Sequence, residues 1–334
     1  MARDSTLTMA RLAQLAGVSV STVSRALAGN PIIAERTRKH ILELAKRHGF
    51  APNQAARNLR NRRTDTIGVV LPLGHQADQQ LTDPFFMLMI GHLADAIAER
   101  GYDMLLRRIV PIDDDWLARL IASRRTDGLI ILGQSDQHAV LNASAADYAP
   151  LVVWGAHLPD SRYTTVGSDN REGGRLAARD LIGRGRRRLL FLGNPEAPEF
   201  GLRQEGFREV CDQHDDVRLS CAKVDLVPET ARRQLPELLD EHPDIDGIFA
   251  ASDVIALIVI AVLEQSGASI PSDVSVIGYD NVPTAAFGTR SLTTIDQHLS
   301  DGAHMLVQTL QQRMAGEPSR SHMITPQLLN RGTA

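Results

Sequence analysis

Residues 8–27 restrict the fold of this chain more than any other stretch, because they predict two short helices joined by a tight turn. They read Thr-Met-Ala-Arg-Leu-Ala-Gln-Leu-Ala-Gly-Val-Ser-Val-Ser-Thr-Val-Ser-Arg-Ala-Leu. Gly17 allows the left-handed backbone of the turn, and Ser19 is a favourable N-cap for the helix that follows. Apolar residues recur at spacings that bury one face of each helix against the other: Leu12, Ala13, Ala16, Val18, Val23 and Leu27. The stretch therefore predicts a helix-turn-helix.

The charge of the chain is distributed as a DNA-binding helix-turn-helix requires. Residues 1–63 hold twelve Lys and Arg against three acidic residues, a net charge of +9, whereas the remaining 271 residues carry −13. A basic surface without a partner would give the same numbers. In a helix-turn-helix, however, the start of the second helix enters the major groove, and basic side chains contact phosphates. Together the pattern and the charge predict a DNA-binding head.

Two further segments belong to this basic part. Glu35–Arg47 reads as a third helix, which Gly49 ends. Residues 54–60 follow Asn53, which is a candidate N-cap for another short helix. They contain too few apolar side chains to stabilise an isolated helix of this length in water.

Beyond residue 65, short apolar runs alternate with helical patterns. Strands are predicted at Ile67–Leu71, Met104–Leu106, Gly128–Leu132, Leu151–Trp154, Leu189–Leu192, Gly247–Ala250 and Val274–Ile277. Helices are predicted at Met87–Arg100, Arg171–Gly183, Gly201–Asp212, Thr230–Glu241 and Val254–Gly267. Fully buried strands that alternate with helices are typical of parallel sheets covered on both faces. About seven such units predict an α/β core of two doubly wound parallel-sheet subdomains, with ligands at the carboxyl ends of the strands.

Several other classes of protein are disfavoured. Two cysteines, Cys211 and Cys221, make no disulfide framework, and the N-terminus lacks the apolar segment of a secretory signal. The longest apolar run, Val254–Leu263, is too short to cross a membrane. We therefore expect a cytoplasmic protein. The sequence contains no nucleotide-binding glycine motif, no nucleophile elbow and no zinc-ligand spacing, so we expect no catalytic residues, no cofactor and no metal site.

Over nearly its whole length the chain resembles the lactose-repressor (LacI) family of bacterial transcription regulators. The resemblance rests on an ordered series of motifs: Ala13-Gln-Leu-Ala-Gly-Val-Ser19, Thr22-Val-Ser-Arg25, Phe50-Ala-Pro-Asn53, Ala56-Arg-Asn-Leu59, Asp83-Pro-Phe-Phe86, Val166-Gly-Ser-Asp-Asn170 with Gly173-Gly174, Arg203-Gln-Glu-Gly-Phe207, Val276-Ile-Gly-Tyr-Asp280 and Leu292-Thr-Thr-Ile295. It implies a multidomain fold, an all-α helix-turn-helix head and a core resembling type I periplasmic binding proteins.

The resemblance also implies domain boundaries. The head covers residues 1–63 and includes a hinge helix at 54–61. The core covers 64–334, with lobe one at 65–162 and 292–320 and lobe two at 163–291 and 321–334.

In the head, the family's base-reading positions fall on Val20, Ser21 and Arg25, and the DNA-contacting set is completed by Ser19, Thr22, Ser24, Asn53, Arg57, Leu59 and Arg60. Arginine suits guanine because its planar fork donates to O6 and N7 together. Leu59 is expected to wedge into the minor groove, with Arg57 and Arg60 on phosphates beside it. Three alternatives remain: a surface ion pair for Arg25, a role for Val20 in covering the core, and packing of Leu59 on the core lobe.

In the core, the resemblance places effector-binding residues at the ends of the strands. They are Asp83, Phe85, Phe86, Gln134, Ser135, Trp154, Asp169, Arg203, Ser252, Asp253 and Asp280. Acidic, amide and arginine side chains bind sugar hydroxyls, and aromatic rings cover the apolar face of a sugar.

Alternatives remain open for several of these residues. Arg203 and Asp280 could form a buried structural ion pair, one of the two phenylalanines could be ordinary core, and Asp253 is more readily interpreted as a helix cap. Where many family members carry an Asp-Arg pair, this chain has Gly155-Ala156, so one usual ligand contact is missing.

These features predict a homodimeric repressor of carbohydrate-utilisation genes, released from a palindromic double-stranded operator by a sugar effector, with a glucoside-type oligosaccharide favoured. A purine-responsive regulator is the alternative effector class. A sugar-binding protein without DNA activity is the alternative protein class.

Overall fold

The computed structural model describes residues 8–27, 29–50, 63–73, 81–134, 136–287 and 290–334 of the 334-residue chain. The chain divides into two compact units, Met1–Thr64 and Asp65–Ala334. The predicted hinge helix at 54–61 lies outside the described residues.

The described residues of the first unit form three helices: α1 Met9–Ala16, α2 Val20–Leu27 and α3 Glu35–Arg47. Gly17 ends α1 in the left-handed conformation, with φ of 65°, as the tight turn requires. The Ser19 hydroxyl accepts a hydrogen bond from the Thr22 backbone N–H at 3.1 Å, which confirms its predicted capping role. One side chain cluster joins the helices, built from Leu12, Ala13, Val23, Ala26, Ile41 and Ala45.

The second unit contains two six-stranded sheets. The strands are β1 Thr66–Pro72, β2 Asp103–Ile109, β3 Gly128–Leu132, β4 Leu151–Trp154, β5 Thr164–Ser168, β6 Arg188–Leu192, β7 Arg218–Ala222, β8 Gly247–Ala250, β9 Ser275–Asp280, β10 Thr293–Asp296, β11 His322–Ile324 and β12 Gln327–Leu329. Their orders are β11-β5-β4-β3-β1-β2 in lobe one and β12-β10-β9-β8-β6-β7 in lobe two. The strand pairs are parallel, apart from the antiparallel pair β10–β12.

Helices cover both faces of each sheet. They are α4 Pro84–Ala98, α5 Trp116–Ala122, α6 His138–Asp147, α7 Asn170–Gly183, α8 Pro198–Cys211, α9 Pro228–Asp240, α10 Asp253–Gln265, α11 Pro283–Ala286 and α12 Leu299–Met314. Alternate residues of one strand enter different cores: Val69 packs with α4 and α12, whereas Val70 packs with α5 and α6. This two-sided burial is the reason that the strands read as continuous apolar runs.

The lobe boundaries differ from the predicted ones at three crossings. β5 and β11 pair within the sheet of lobe one, although residues 163–168 and 321–324 are predicted in lobe two. β10 pairs with β9 in lobe two, although residues 292–296 are predicted in lobe one. These boundaries were wrong because the chain passes to the other lobe only after each strand has paired. Pairing between strands far apart in the chain leaves no local pattern in the sequence.

Candidate functional site

The start of α2 presents the residues predicted to read DNA. Ser19, Val20, Ser21 and Arg25 are exposed, and Val20 is 47% exposed, outside the buried cluster of the head. Thr22 and Ser24 are half-buried. Within the described part of the chain Arg25 has no ion pair, so nothing there supports the structural alternative. Asn53, Arg57, Leu59 and Arg60 lie outside the described residues.

A cleft between the two lobes gathers most of the predicted effector residues. It holds about 710 Å³ of empty space, counting its opening to solvent. Seven predicted residues line it: Asp83, Phe85, Phe86, Trp154, Arg203, Ser252 and Asp280. Trp154, Ser252 and Asp280 stand at or just after the carboxyl ends of β4, β8 and β9, where parallel sheets bind ligands.

Arg203 is the only cationic side chain lining this cleft among the described residues, and it is 4% exposed. Its Nε donates to Asn170 Oδ1 at 2.8 Å, and its Nη1 donates to the carbonyl of Ala251. The guanidinium carbon lies 3.6 Å from the Tyr279 ring centroid and 5.0 Å from that of Phe200. Packing and hydrogen bonds on several sides therefore fix the guanidinium before any ligand binds.

Asp280 faces Arg203 without a direct hydrogen bond, since Nη1 and Oδ1 are 3.8 Å apart. Oδ1 instead accepts from Gln297 Nε2 at 2.6 Å. Burial raises the pKa of Asp280 well above its usual value, and the Arg203 charge opposes the shift. The residue has φ of 118°, an uncommon conformation for a side chain other than glycine that is found mainly at functional sites. The pair is thus both a loose buried ion pair and part of the cleft wall.

Aromatic rings form the apolar wall of the cleft. The Phe85 and Phe86 centroids are 5.4 Å apart. Phe86 is 7% exposed and belongs to the core of lobe one, whereas Phe85 packs against the cores of both lobes. Trp154 is buried against Gly302 of α12, where an added Cβ would lie 2.4 Å from the ring. Trp154 is therefore fixed in place, and Phe85 is a ring of the wall that contacts the cores of both lobes.

Three of the predicted effector residues that the structure describes, Gln134, Asp169 and Asp253, are not among those that line the cleft. Gln134 is fully buried, donates to the Ala156 carbonyl and to the Tyr163 hydroxyl at 2.7 Å each, and accepts from Ala156 N–H. These hydrogen bonds occupy the side-chain amide of Gln134 and fix the Gly155-Ala156 segment. Asp169 caps α7 by accepting from Glu172 N–H, and Ser135 lies outside the described residues.

The third, Asp253, is fully buried behind the cleft. It accepts from Val282 N–H at 2.9 Å and from the Thr294 hydroxyl at 2.5 Å. The N-cap of α10 is Ser252, whose hydroxyl accepts from Ile255 N–H, so the interpretation of Asp253 as the cap was wrong. Its carboxyl group instead joins the segment after β9 to strand β10, a connection that the helix-start pattern does not reveal.

Other cleft residues escaped the sequence analysis. They are Pro72, Leu73, Leu132, Gly133, Ala197, Glu199, Phe200 and Leu226. Glu199 and Phe200 begin α8, which follows the carboxyl end of β6. Applying the strand-end rule to β6 would have located them, but their side chains fit no ligand motif.

Two kinds of feature are absent from the described residues. None of the helices there has the length and apolar character needed to cross a membrane. In the same part of the chain, no three His, Cys, Asp or Glu side chains are grouped as metal ligands.

Known protein families match parts of both units. Residues 8–53 match the lacI family of bacterial regulatory proteins, and residues 162–334 match the periplasmic binding protein-like domain. The HTH-type transcriptional regulator CelR of Thermobifida fusca is 31% identical over 318 residues, covering 93% of this chain and 92% of CelR. Such relatives are transcription regulators rather than enzymes.

Solved structures agree. A transcriptional regulator CelR–cellobiose complex is 28% identical and matches with a TM-score of 0.71, over 98% of this chain and 99% of that one. The lac repressor dimer bound to operator and the anti-inducer ONPF matches with a TM-score of 0.86 over 98% and 99% of the two chains; at 20% identity, it shares the fold.

Proposed function

The chain belongs to the LacI family of bacterial transcription regulators, and we propose that it is a homodimeric repressor of carbohydrate-utilisation genes that a sugar releases from a palindromic operator. The observation that carries the effector class is the cleft, where Arg203 and Asp280 face rings of Phe85, Phe86 and Trp154. Charged groups that bind hydroxyls beside aromatic faces that cover ring C–H groups are the chemistry of sugar recognition.

The DNA-binding part of the proposal rests on α2. Its exposed Ser21 lies in the first turn and its exposed Arg25 in the last turn of the helix, in a segment with a net charge of +9. One helix-turn-helix reads only half a site, so a palindrome requires two copies of the chain. A protein with this partner works in the cytoplasm, and we assign it no catalytic activity and no cofactor.

A β-linked glucoside is the favoured effector within this class. The structure of the related regulator CelR holds cellobiose, and the present cleft offers an aromatic wall and a fixed guanidinium to a sugar. Release from DNA requires that the sugar prefer one arrangement of the lobes, because equal affinity for two arrangements shifts nothing.

The test begins with a thermal-shift screen against sugars, since a ligand that binds only the folded state raises its melting temperature. A gel shift on genomic operator fragments is then titrated with the sugar that stabilises most. Arg203→Ala and Asp280→Ala should bind operator but need at least about tenfold more sugar for release, because truncation leaves a buried partner unsatisfied.

Arg208→Ala is the matched control, since Arg208 lies on the same helix, is exposed and contacts Cys221 Sγ. Normal release by either cleft variant would remove that residue from the site. Stabilisation by purines and by none of the sugars would overturn the sugar class.

A further inference from the structure

The charges that line the cleft are unbalanced. Its described lining contains three carboxyl groups, Asp83, Glu199 and Asp280, and one cation, Arg203. Asp83 caps α4 by accepting from Phe85 N–H at 2.9 Å, and Asp280 accepts from Gln297. Glu199 differs from both. Its Oε1 is buried and, within the described part of the chain, accepts no hydrogen bond.

A buried carboxylate oxygen without a donor is costly and uncommon in folded proteins. The position of Glu199 explains both how its charge is tolerated and why the hydrogen bond is missing. Glu199 lies in the first turn of α8, where the partial positive charge of the helix N-terminus stabilises an anion. Pro198 precedes it in that turn and has no N–H to offer. The helix therefore supports the charge without supplying the missing hydrogen bond.

The carboxylate of Glu199 also acts across the cleft. Burial raises the pKa of Tyr163, which belongs to lobe one, and the negative charge of Glu199 in lobe two raises it further. Glu199 lines the cleft together with residues of both lobes, beside space that a ligand can enter. Phe200, its neighbour, completes the aromatic wall with Phe85, Phe86 and Trp154.

We propose that Glu199 accepts a hydrogen bond from a hydroxyl of the effector and makes the cleft selective for neutral glycosides over uronates, sugar phosphates and other anionic ligands. This inference rests on the proposed sugar response and specifies the charge of the sugar. A hydroxyl placed at Oε1 satisfies the buried oxygen. An anionic group placed there meets the like charge of the Glu199 carboxylate, which disfavours its binding.

The experiment measures binding to the full chain by calorimetry with three probes. Cellobiose and 4-nitrophenyl β-glucoside are neutral. 4-Nitrophenyl β-glucuronide differs from the glucoside by a carboxylate in place of the hydroxymethyl group. Wild-type protein should bind the glucuronide at least about tenfold more weakly than the glucoside.

Two variants separate the hydrogen bond from the charge. Glu199→Ala removes the acceptor and should weaken binding of the neutral probes about tenfold. Glu199→Gln keeps an acceptor oxygen but not the charge, so it should bind the neutral probes within about threefold of wild type and gain about tenfold for the glucuronide. Glu196→Ala is the control, because Glu196 is exposed and paired with Lys223 at 2.8 Å. Thermal unfolding without probe establishes that each variant is folded.

The outcomes distinguish this inference from the proposed function. If the neutral probes bind wild type and Glu199→Ala equally well, or the glucuronide binds wild type as tightly as the glucoside, the role of Glu199 is overturned while the sugar response stands. If neither neutral probe nor any other neutral sugar of the screen binds wild type, the proposed effector class fails, and this inference with it.

Discussion

Asp253 is one carboxyl group that connects three elements of lobe two. It begins α10, binds the Val282 backbone after β9 and accepts from Thr294 in β10. A Cβ at Gly278 would lie 2.3 Å from its Oδ1, so β9 needs glycine at that point. Burial raises the pKa of Asp253 to about 7, against the opposing effect of these hydrogen bonds.

This shift predicts a dependence of stability on pH. The pKa of Asp253 is higher in the folded than in the unfolded protein, so between these two values the folded protein binds a proton that the unfolded chain releases. This proton binding stabilises the fold at low pH, and the stabilisation is lost as pH rises from about 4 through 7. Asp253→Asn lacks the titration. Urea unfolding at pH 5 and pH 8 should therefore show wild type losing more than about 1 kcal/mol relative to the variant. An unchanged difference between the two proteins would mean that Asp253 is ionised throughout.

Arg25 is a residue whose role is predicted from its place on α2. Arg25→Ala should lower affinity for the operator by about 1–3 kcal/mol and relax the preference for one guanine. Fluorescence anisotropy on operator, on operators substituted at each position and on scrambled DNA measures both effects. Arg38→Ala, which removes the partner of Glu35 on α3, is the comparison. Equal losses on operator and scrambled DNA would identify Arg25 as a phosphate contact instead.

At the scale of elements, the pair α7–α8 holds Arg203 in place. The two helices approach so closely that a Cβ at Gly174 would lie 2.1 Å from the Arg203 carbonyl oxygen, and one at Gly206 would lie 1.9 Å from that of Arg171. Asn170, at the start of α7, also binds the Arg203 guanidinium. The glycines therefore set the spacing that places a cation in the cleft.

Gly206→Ala should force these helices apart. The expected loss is about 1–3 kcal/mol of stability, typical of overpacking, with weaker effector binding because Arg203 lies one turn away on the same helix. Gly183→Ala is the matched control: Gly183 ends α7, is exposed, and an added Cβ there contacts nothing within 4 Å. It should be neutral or slightly stabilising. Urea unfolding and calorimetry with the selected sugar measure both variants, and equal behaviour of the two would show that the helices separate without cost.

At the scale of the whole molecule, opposite charges are divided between the two units. The head carries +9 and the rest of the chain −13, so contact with DNA phosphates is confined to the head and should weaken steeply with added salt. Leu59 is the apolar side chain that the family resemblance assigns to the minor groove.

Leu59→Ala should therefore weaken specific binding while leaving the slope of log K against log salt unchanged, since no phosphate contact is removed. Arg60→Ala is the contrasting variant and should reduce that slope by about 1. Binding measured from 50 to 200 mM salt decides between them. A reduced slope for Leu59→Ala, or unchanged affinity for operator, would contradict the wedge.

The local parts of the fold were predictable because short-range chemistry fixes them. Gly17 and Ser19 lie where the turn and cap were expected, and the runs Gly128–Leu132 and Leu151–Trp154 are strands as predicted. Local patterns could not decide which lobe takes β5, β10 and β11, because pairing depends on partners far along the chain.

The same division applies to the cleft. The sequence by itself determined the helix-turn-helix and the alternation of strands and helices, because apolar period and turn chemistry are local properties. The family resemblance added seven residues that line the cleft. Only the tertiary structure decided that the Gln134 amide is used by Ala156 and Tyr163, that Asp253 lies behind the wall, and that Glu199 holds a buried oxygen without a donor. Whether a polar side chain is free for a ligand depends on which distant groups satisfy its hydrogen bonds, and folding brings those groups together.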